Sequence, residues 1–515
     1  MDHPGNLVLS SAIFLVICFF FFSSAEKVQV ASDGAVNAGQ ELPVFHEFEL
    51  FHRQHPSSPY QQQHNNITTT SRREWLAATL SRDALRLQML KEHINKKLLR
   101  PELNLSRDAF ELPSRLAKDS NTNSKLQPNS GVSGEVTAEG IGEHVVSIKV
   151  GSPAQNALMT VDTGSGLTWL QCTPCMICYS QELPFFIPGN SSTYAQIPCS
   201  SDRCVDTDSA SMACSSTNSC VYGVGYGDGS FSEGYLATET VIFISTVDDA
   251  SLVGIPDVVL GCGVVNYGSF TAESGLIGLN CDPYSFVMQT ASTYSQVFTY
   301  CLADIIAQAN ATSRLSFGIR DESNSNSNMQ YTPMMGTELY YLNLTGITIG
   351  SSALPITPTA FELQSDNSGG VILDSGTTLT YLVEAPYTMF RDSFIASTGL
   401  NIDGISVMND SATSIGLDTC YETASAGDDA APRGPTSLMF HLADVVDLEL
   451  GDGNMFIEVD DGIWCLTFAS GGENDEGGLS IIGNIQQQNF QIQYDLANSR
   501  IGFAPANCGG DKLFM

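Results

Sequence analysis

The pattern of hydrophobic and polar positions divides this 515-residue chain into three parts. The first part is a nearly uninterrupted apolar run from Leu7 to Phe22, which ends at the small residues Ser23-Ser24-Ala25. Such a run is typical of a secretory signal peptide, and we expect residues 1–25 to be one. Because no Lys or Arg precedes Lys27 and the run is short for a membrane span, an uncleaved signal anchor is the alternative.

The second part contains one strong helical pattern. Between Trp75 and Leu99 good helix formers predominate, and apolar and basic residues share the segment at mostly helical spacing. The apolar positions are Leu76, Leu80, Leu87, Leu90 and Ile94, and the basic ones are Arg82, Arg86, Lys91, Lys96 and Lys97. This pattern predicts a basic amphipathic helix. The stretch from Ser120 to Ser133 is rich in Asn, Ser, Gly and Thr and predicts an exposed linker, where cleavage would separate the second part from the third.

The third part is a series of short alternating or β-branched runs. Examples are His144–Val150, Tyr340–Ile349 and Phe490–Tyr494, and clusters of Gly, Pro, Asn and Asp separate such runs. Helical candidates are few, one near Ser285–Ser292 and one near Glu384–Ser397. The pattern therefore predicts a mainly β protein and disfavours a nucleotide-binding fold of alternating strands and helices.

Charge separates the second part from the third. Residues 26–134 hold 14 Lys+Arg and 12 Asp+Glu, whereas residues 135–515 hold 8 and 43, and the whole chain carries a net charge of -34. Such an acidic chain would repel nucleic acid and anionic membrane surfaces. We expect the basic segment to dock on the acidic body near neutral pH and to loosen as carboxylates protonate; a disordered tether with an incidental helix is the alternative.

Two acidic residues occupy matching positions about 200 residues apart. The stretches Leu158–Ser165 and Gly370–Thr377 each place an Asp, Asp162 and Asp374, at the end of an apolar strand before a hydroxyl, a Gly and another hydroxyl. One copy is more often an ordinary turn, but two copies in matched settings favour function. Two adjacent carboxylates share a proton, so one takes a proton from water while the other polarises a peptide carbonyl. That chemistry needs no metal and no cofactor.

These motifs resemble the pepsin-like aspartic protease family over roughly residues 140–508. The resemblance implies two β-rich lobes with a cleft between them and protein or peptide substrates. The composition of residues 135–515, with only 8 Lys+Arg and two His against 43 Asp+Glu, separately predicts an acidic working range, because little positive self-repulsion builds up as the carboxylates protonate. It assigns catalysis to Asp162 and Asp374. It assigns support of this pair to Thr163, Gly164, Ser165, Ser375, Gly376 and Thr377. Each motif is followed by an apolar pair and Gly, at Leu276-Ile277-Gly278 and Ile481-Ile482-Gly483, similar to the family segments that thread beside the catalytic loops.

The resemblance extends to the hairpin that closes over substrate. Tyr226-Gly227-Asp228-Gly229-Ser230 matches the family's flap, and Trp169 stands where the family carries a flap-supporting tryptophan. Taken alone, Tyr226 would be an ordinary turn aromatic and Trp169 an ordinary core residue, but their positions relative to Asp162 favour function. Gly166 departs from the family, which usually has Ser or Asp there, so one contact of the loop is expected to be missing.

The cysteines indicate a branch of the family. Removing Cys18 with the signal leaves 13 of the 14 cysteines, so one thiol is left over. A metal site at Cys172, Cys175 and Cys178 is the alternative to disulfides, which a secretory route favours. The cluster from Cys172 to Cys220 resembles the cysteine-rich insert of nepenthesin-like plant enzymes. That resemblance implies the pairs Cys172–Cys175, Cys178–Cys262, Cys199–Cys220, Cys204–Cys214, Cys301–Cys508 and Cys420–Cys465, and leaves Cys281 unpaired.

The expected product is a secreted zymogen inhibited by its own propeptide. We expect a propeptide with linker at 26–134, an N-terminal lobe at 135–325 and a C-terminal lobe at 326–515. Glycosylation motifs occur at Asn66, Asn104, Asn190, Asn310, Asn343 and Asn409. The mature protein is expected to be an unanchored monomer outside the cell or, alternatively, in the vacuole. A catalytically silent pepsin-like protein that binds or inhibits another enzyme is the rival function.

Overall fold

Strands dominate the part of the chain that the structure, a computed structural model, describes. That part comprises residues 45–52, 72–98 and 144–509, apart from gaps at 208, 227–228, 245–251, 269, 271, 305–310, 320–328, 337, 366–367, 399–405, 409–416, 424–431 and 473–477. The predicted signal peptide and linker, Gly227, and the motifs at Asn66, Asn104, Asn310 and Asn409 lie outside the described residues. Asn190 and Asn343 are exposed.

Most strands of the first half belong to one large sheet. They are β1 His46–His52, β2 His144–Val150, β3 Gln155–Asp162, β4 Trp169–Gln171, β5 Ala195–Gln196, β6 Ser211–Cys214, β7 Cys220–Gly225, β8 Phe231–Ile244, β9 Leu252–Tyr267, β10 Gly275–Gly278, β11 Val297–Cys301, β12 Ser313–Phe317 and β13 Gln330–Pro333. The last two strands of the chain, β27 and β28 below, join the same sheet between β13 and β11. Both halves of the chain therefore share one continuous sheet.

The second half forms three smaller sheets and the strands that join the large one. The strands are β14 Tyr341–Leu342, β15 Leu344–Ile349, β16 Ser352–Ala353, β17 Val371–Leu373, β18 Thr380–Leu382, β19 Ser406–Met408, β20 Cys420–Glu422, β21 Leu438–Leu442, β22 Val446–Glu449, β23 Phe456–Asp460, β24 Ile463–Leu466, β25 Phe468–Ser470, β26 Ser480–Ile482, β27 Phe490–Asp495 and β28 Arg500–Pro505. The smaller sheets run in the orders β14-β17-β26-β18-β25, β16-β15-β21-β22 and β19-β20-β24-β23.

Helices are short apart from two. They are α1 Arg72–Leu98, α2 Phe286–Gln289, α3 Ala291–Tyr294, α4 Glu384–Thr398, α5 Asp452–Met455 and α6 Asn484–Gln487, with single 3-10 turns at Pro188–Asn190, Pro358–Phe361, Ala443–Val445 and Leu496–Asn498. The mainly β prediction is confirmed, and the predicted helices fall on α1, on α2 with α3, and on α4. Among the described residues, no helix has both the length and the apolar character that a membrane span requires.

The two halves repeat one arrangement. In the first, β10 runs parallel to β3 and places Gly278 opposite Asp162; in the second, β26 runs parallel to β17 and places Ile481 opposite Ile372. The later strands β10 and β26 also pair with the strands that follow the two motifs, β10 with β4 and β26 with β18. The two Asp-bearing turns therefore receive the same support from a later strand, which is the bilobal architecture that the repeated motif implies.

Strand β1, far from β2 in sequence, lies inside the large sheet. It pairs with β12 on one side and with β2 on the other. Phe48 and Leu50 are buried in the main hydrophobic core, where Phe48 contacts the rings of Phe243 and Phe317. Residues from Pro43 onward form one compact unit. Part of the predicted propeptide is thus a structural strand of the precursor.

The disulfide pattern differs from the expected one in the cysteine-rich region. The structure pairs Cys172–Cys262, Cys175–Cys178, Cys199–Cys214 and Cys204–Cys220, so the four pairs expected there are wrong. Strand pairing explains the change, because β4 pairs with β9 and brings Cys172 next to Cys262. The pairs Cys301–Cys508 and Cys420–Cys465 are present as expected, and Cys281 takes part in none of the six disulfides.

Candidate active site

The two repeated acids lie at equivalent ends of buried strands. Asp162 is the last residue of β3 and Asp374 directly follows β17. Both are buried, with 2% and 1% of their surface exposed. The carbonyl of Asp162 accepts a hydrogen bond from the amide of Leu279 (2.9 Å), and the amide of Asp374 donates to the carbonyl of Ile482 (3.2 Å). Residues at the ends of β10 and β26 therefore hold the backbones of Asp162 and Asp374 in place.

Each carboxylate is held by its own turn. The amide of Gly164 donates to Oδ1 of Asp162 (2.9 Å), and the amide of Gly376 donates to Oδ1 of Asp374 (3.1 Å). The Thr377 hydroxyl adds a bond to Oδ2 of Asp374 (2.6 Å). The Ser165 hydroxyl, expected to do the same for Asp162, is buried but has no hydrogen bond of standard geometry.

The hydroxyls between the acids and the glycines join the two turns. Oγ1 of Thr163 lies 3.2 Å from Oγ of Ser375 and accepts a bond from the Ser375 amide (3.1 Å). Asn484, at the start of α6, donates its side-chain amide to the Ser375 carbonyl (3.1 Å). The site residues predicted from the two motifs therefore come together. The Ser165 hydroxyl lies close enough to help lower the pKa of Asp162, although its geometry is not that of a standard hydrogen bond.

One arginine from α1 binds both carboxylates. Nη2 of Arg86 donates to Oδ1 of Asp162 (2.7 Å) and to Oδ1 of Asp374 (2.8 Å), while Nε donates to Oδ2 of Asp374 (2.7 Å). A Cβ on Gly164 or Gly376 would lie 2.5 Å from Nη2, so both turns need glycine for the guanidinium to reach the acids. The sequence signalled a basic helix facing an acidic body, but nothing in it singled out Arg86.

A carboxylate one helical turn earlier binds the turn after Asp374. Asp83 accepts hydrogen bonds from the amides of Thr378 (3.0 Å) and Leu379 (3.2 Å), and the Tyr381 hydroxyl lies 3.5 Å away. Only 3% of Asp83 is exposed. Residues three apart lie on one helix face, so Asp83 and Arg86 enter the site side by side. The sequence analysis missed Asp83 as well.

Apolar and charged contacts hold the rest of α1 on the C-terminal half. Leu76, Leu80 and Leu87 are buried in one cluster with residues of β18 and β23. Arg73 forms an ion pair with Asp460 (3.9 Å), and the Lys91 ammonium donates to the carbonyl of Gly471. The predicted amphipathic face is therefore a docking face.

Burial and the arginine set the protonation of the site. Burial by itself raises the pKa of Asp162, but the charge of Arg86 and the amide of Gly164 outweigh it and hold that pKa below its ordinary range. Burial raises the pKa of Asp83 to about 6, against the opposing effect of the Thr378 and Leu379 amides and of the charges on Arg82 and Arg86. With Arg86 in place, Asp162 is thus held ionised.

The predicted flap residues also meet. The indole Nε1 of Trp169 donates to the Tyr226 hydroxyl (2.6 Å), and both rings contact Phe270 edge-on. Tyr226 closes the end of β7, and its amide and carbonyl bond to Ser230 and Gly229 across the turn. The arrangement matches the supporting role expected for Trp169. Among the described residues, no group of three or more His, Cys, Asp or Glu side chains could hold a metal ion.

Comparison with known proteins gives consistent matches along the chain. The family models Xylanase inhibitor N-terminal and Xylanase inhibitor C-terminal match residues 144–319 and 339–505. Aspartyl protease family protein 2 of Arabidopsis thaliana is 39% identical over 378 residues, 72% of either chain. Aspartic proteinase nepenthesin-1 of Nepenthes gracilis is 38% identical over 427 residues, 82% of this chain and 90% of that protein.

Solved structures share the fold at lower identity. Basic 7S globulin from soybean is 20% identical with a TM-score of 0.55, covering 71% of this chain and 95% of that one. Conglutin gamma from lupine seeds, also 20% identical, has a TM-score of 0.55 and covers 70% and 91%. At this identity the likeness concerns the fold and carries no activity with it.

Proposed function

The chain belongs to the plant nepenthesin-like branch of the pepsin-like aspartic protease family, and from this premise we propose that it is a secreted aspartic endopeptidase made as an inactive precursor. The observation that carries the proposal is the contact of one nitrogen, Nη2 of Arg86, with a carboxylate oxygen of both Asp162 and Asp374. Oxygens that share one donor are close enough to share one proton or one water molecule.

Hydrolysis follows from this geometry once the helix has left. Without Arg86, two buried carboxylates at this distance cannot both ionise cheaply, so the pair holds a single proton and titrates as a unit. The ionised member takes a proton from a water molecule between them, and the protonated member donates to the carbonyl oxygen of the peptide. Bonds from Gly164, Gly376 and Thr377 hold the carboxylates in place for both roles.

The inactive state follows from the same contacts. Arg86 occupies the position where the attacking water would bind, and its charge favours the doubly ionised pair, which has no proton to donate. Asp83 meanwhile covers the amides of Thr378 and Leu379 beside Asp374. The segment containing α1 therefore acts as an intramolecular inhibitor, and cutting the chain between α1 and β2 allows it to leave.

The decisive experiment compares two Asp→Asn variants of the precursor. Precursor incubated at pH 3 is assayed on a quenched fluorescent peptide library from pH 3 to 7, with and without pepstatin. The Asp162→Asn variant is expected to lose cleavage by a factor of at least about 1,000, since it cannot supply the base. The matched control is Asp392→Asn, an exposed residue paired with Arg391, which is expected to leave cleavage unchanged.

A binding role is the second candidate, favoured by the names of the two matching family models and by the globulins that share the fold. The same experiment separates the two functions. A correctly folded, processed protein that cleaves none of the peptides, as wild type and as control, would contradict the peptidase and support a silent binding protein. Both functions fit the proposed secreted monomer, outside the cell or in the vacuole.

A further inference from the structure

Gly166, the first residue after the Asp162 motif, has no room for a side chain. A Cβ built on it would overlap that of Asp282 and lie 2.7 Å from the Asp282 Cγ and 2.9 Å from Oδ1 of Asn280. Contacts this short with side-chain stems cannot be relieved without moving the backbone. The space beside the catalytic turn is therefore filled from the opposite direction, by a carboxylate that belongs to the segment after β10.

Asp282 is buried and bound to two elements. Its Oδ1 accepts the amide of Tyr284 (2.8 Å) and its Oδ2 accepts the amide of Ser209 (3.2 Å). Only 2% of the residue is exposed. A buried carboxylate is costly unless backbone donors satisfy both oxygens, and here they do. One of these donors, Ser209, lies in the cysteine-rich segment Cys199–Cys220.

Asn280 continues the connection to the catalytic turn. Its amide donates to the carbonyl of Ser165 (3.0 Å), its side-chain amide donates to Oγ of Ser209 (3.1 Å), and its Oδ1 accepts the amide of Asp282 (2.8 Å). Ser165 in turn lies three residues after Asp162. An unbroken series of hydrogen bonds thus runs from the cysteine-rich segment to the loop that carries a catalytic acid.

The cysteine-rich segment is a firm support for this series. Two disulfides, Cys199–Cys214 and Cys204–Cys220, close overlapping loops that both contain Ser209. The Tyr284 hydroxyl donates to the carbonyl of Arg203, and the Arg203 guanidinium binds both carboxylate oxygens of Asp257 (2.9 and 2.7 Å). Cross-linked loops lose little further entropy when they hold a neighbour in place.

We propose that Asp282 is a positioning residue for the peptidase reaction: together with Asn280 it fills the space beside Gly166 and fixes the Asp162 turn to the cysteine-rich segment. The inference rests on the proposed endopeptidase function. The Ser165 hydroxyl helps to lower the pKa of Asp162, and its position depends on the Ser165 backbone, whose carbonyl Asn280 holds.

The Asp282→Asn variant of the processed enzyme tests the proposal. An amide offers one acceptor oxygen, so its NH2 group would face either the Ser209 or the Tyr284 amide. The expected result is a kcat about tenfold lower with KM changed less than twofold, because small displacements of catalytic groups affect the chemical step. The acidic limb of the kcat/KM profile should move to higher pH, since Asp162 loses a stabilising donor.

A matched control and a compensating pair sharpen the test. Asp257→Asn, at an exposed position of β9 that pairs with Arg203, should leave kcat and the pH profile unchanged. Gly166→Asp alone should lose at least about tenfold in kcat/KM through the overlap with Asp282. In the double variant Gly166→Asp/Asp282→Gly, position 166 supplies the carboxylate in place of position 282. Its kcat/KM should be at least about fivefold higher than the product of the two single effects predicts.

Hydrogen exchange separates this proposal from the function on which it rests. Amides of residues 162–166 should exchange at least about tenfold faster in Asp282→Asn than in wild type, whether or not the protein cleaves peptides. Unchanged exchange there, or a pH profile that superimposes on wild type while only Tm falls, would overturn the positioning role. If neither the wild type nor the Asp257→Asn variant cleaves peptides, the proposed peptidase function would be overturned instead.

Discussion

The Arg86 side chain binds both acids of the candidate dyad. Its guanidinium is mostly buried against two carboxylates, and removing one partner of a buried ion pair costs about 3 kcal/mol or more. Arg86→Ala should therefore weaken docking of α1 more than about a hundredfold. The uncut Arg86→Ala precursor should cleave a quenched peptide at pH 5, where the uncut wild type does not.

The control for Arg86 is a second arginine on the same helix. Arg82→Gln removes a half-buried charge that does not bind the dyad, and its precursor should stay as silent as wild type. Gel analysis of each assay shows that the chain is still intact. An Arg86→Ala precursor that stays inactive until it is cut would mean that another part of α1 blocks the cleft.

The bond from Trp169 to Tyr226 is a second single-residue determinant. Trp169→Phe keeps the aromatic contact with Phe270 but removes the donor to the Tyr226 hydroxyl. Loss of one buried hydrogen bond costs about 1 kcal/mol, or roughly fivefold in kcat/KM of the processed enzyme if the flap must close in the transition state. Tyr226→Phe removes the same bond from the other side. The two variants and their double should show the same loss, and independent additive losses would contradict a shared role.

At the residue scale, the sequence predicts groups whose signal is local. Asp162 and Asp374 follow apolar strands within short repeated motifs, and their turns need only neighbouring residues. Arg86 and Asp83 depend on which face of a helix meets a cleft hundreds of residues away, and no local pattern encodes that. Ser165 shows the converse, because its motif is intact while its buried hydroxyl makes no hydrogen bond of standard geometry and its carbonyl is held by Asn280, which lies more than 100 residues away in sequence.

The free energy with which helix α1 docks depends on pH through two carboxyl groups, Asp83 and Asp162, whose effects have opposite signs. The raised pKa of Asp83, about 6 in the docked helix against an ordinary 3.8, means that protonation favours docking, so this contribution is present below 3.8 and lost as pH rises through 6. The depressed pKa of Asp162 has the opposite sign, so its contribution is present above 3.8 and lost as pH falls through the lowered value. Docking should therefore be strongest near pH 4 and should weaken both as pH falls below that value and as it rises to about 6.

The charged and titratable groups facing Asp83 are Arg82 and Arg86 on its own helix and Tyr381 on β18. Asp83→Asn removes the proton linkage but keeps an acceptor, so its docking should not weaken between pH 5 and 7.5, whereas that of wild type should weaken by about 1.4 kcal/mol, because about one pH unit of the raised pKa lies in that window. The measurement is exchange protection of α1 amides at the two pH values. Equal weakening in wild type and variant would exclude Asp83 as the group responsible.

At the element scale, the positions of strands and helices along the chain follow from the sequence, whereas the strands and cysteines that pair with one another do not. The alternating runs at His144–Val150 and Phe490–Asp495 are strands with the expected bounds or nearly so. The large sheet, however, places β27 and β28 beside β11 and inserts β1 before β2, which depends on long-range packing. The disulfides show the same limit: Cys214 and Cys220 face each other across β6 and β7, yet each bonds to a cysteine of the preceding loop.

At the scale of the whole molecule, one disulfide joins distant parts of the chain. Cys301 in β11 and Cys508 after β28 are 207 residues apart, and both lie in the sheet region shared by the two halves. Closing so long a loop restricts the unfolded chain strongly, with a typical stabilisation of about 2–4 kcal/mol. The double variant Cys301→Ala/Cys508→Ala should therefore unfold at a Tm lower by roughly 5 °C and lose activity faster on heating.

Two comparisons show whether that loss comes from the bridge. Cys281→Ser removes a thiol without breaking a disulfide, so its Tm should change much less than that of the double variant. Removing Cys420–Cys465, which spans 45 residues within the C-terminal half, closes a shorter loop and should cost less. Both halves share the sheet to which the Cys301–Cys508 bridge belongs. Loss of the bridge should therefore lower the Tm of both halves together. Separate transitions, with only one of them shifted, would show that the bridge stabilises one half alone.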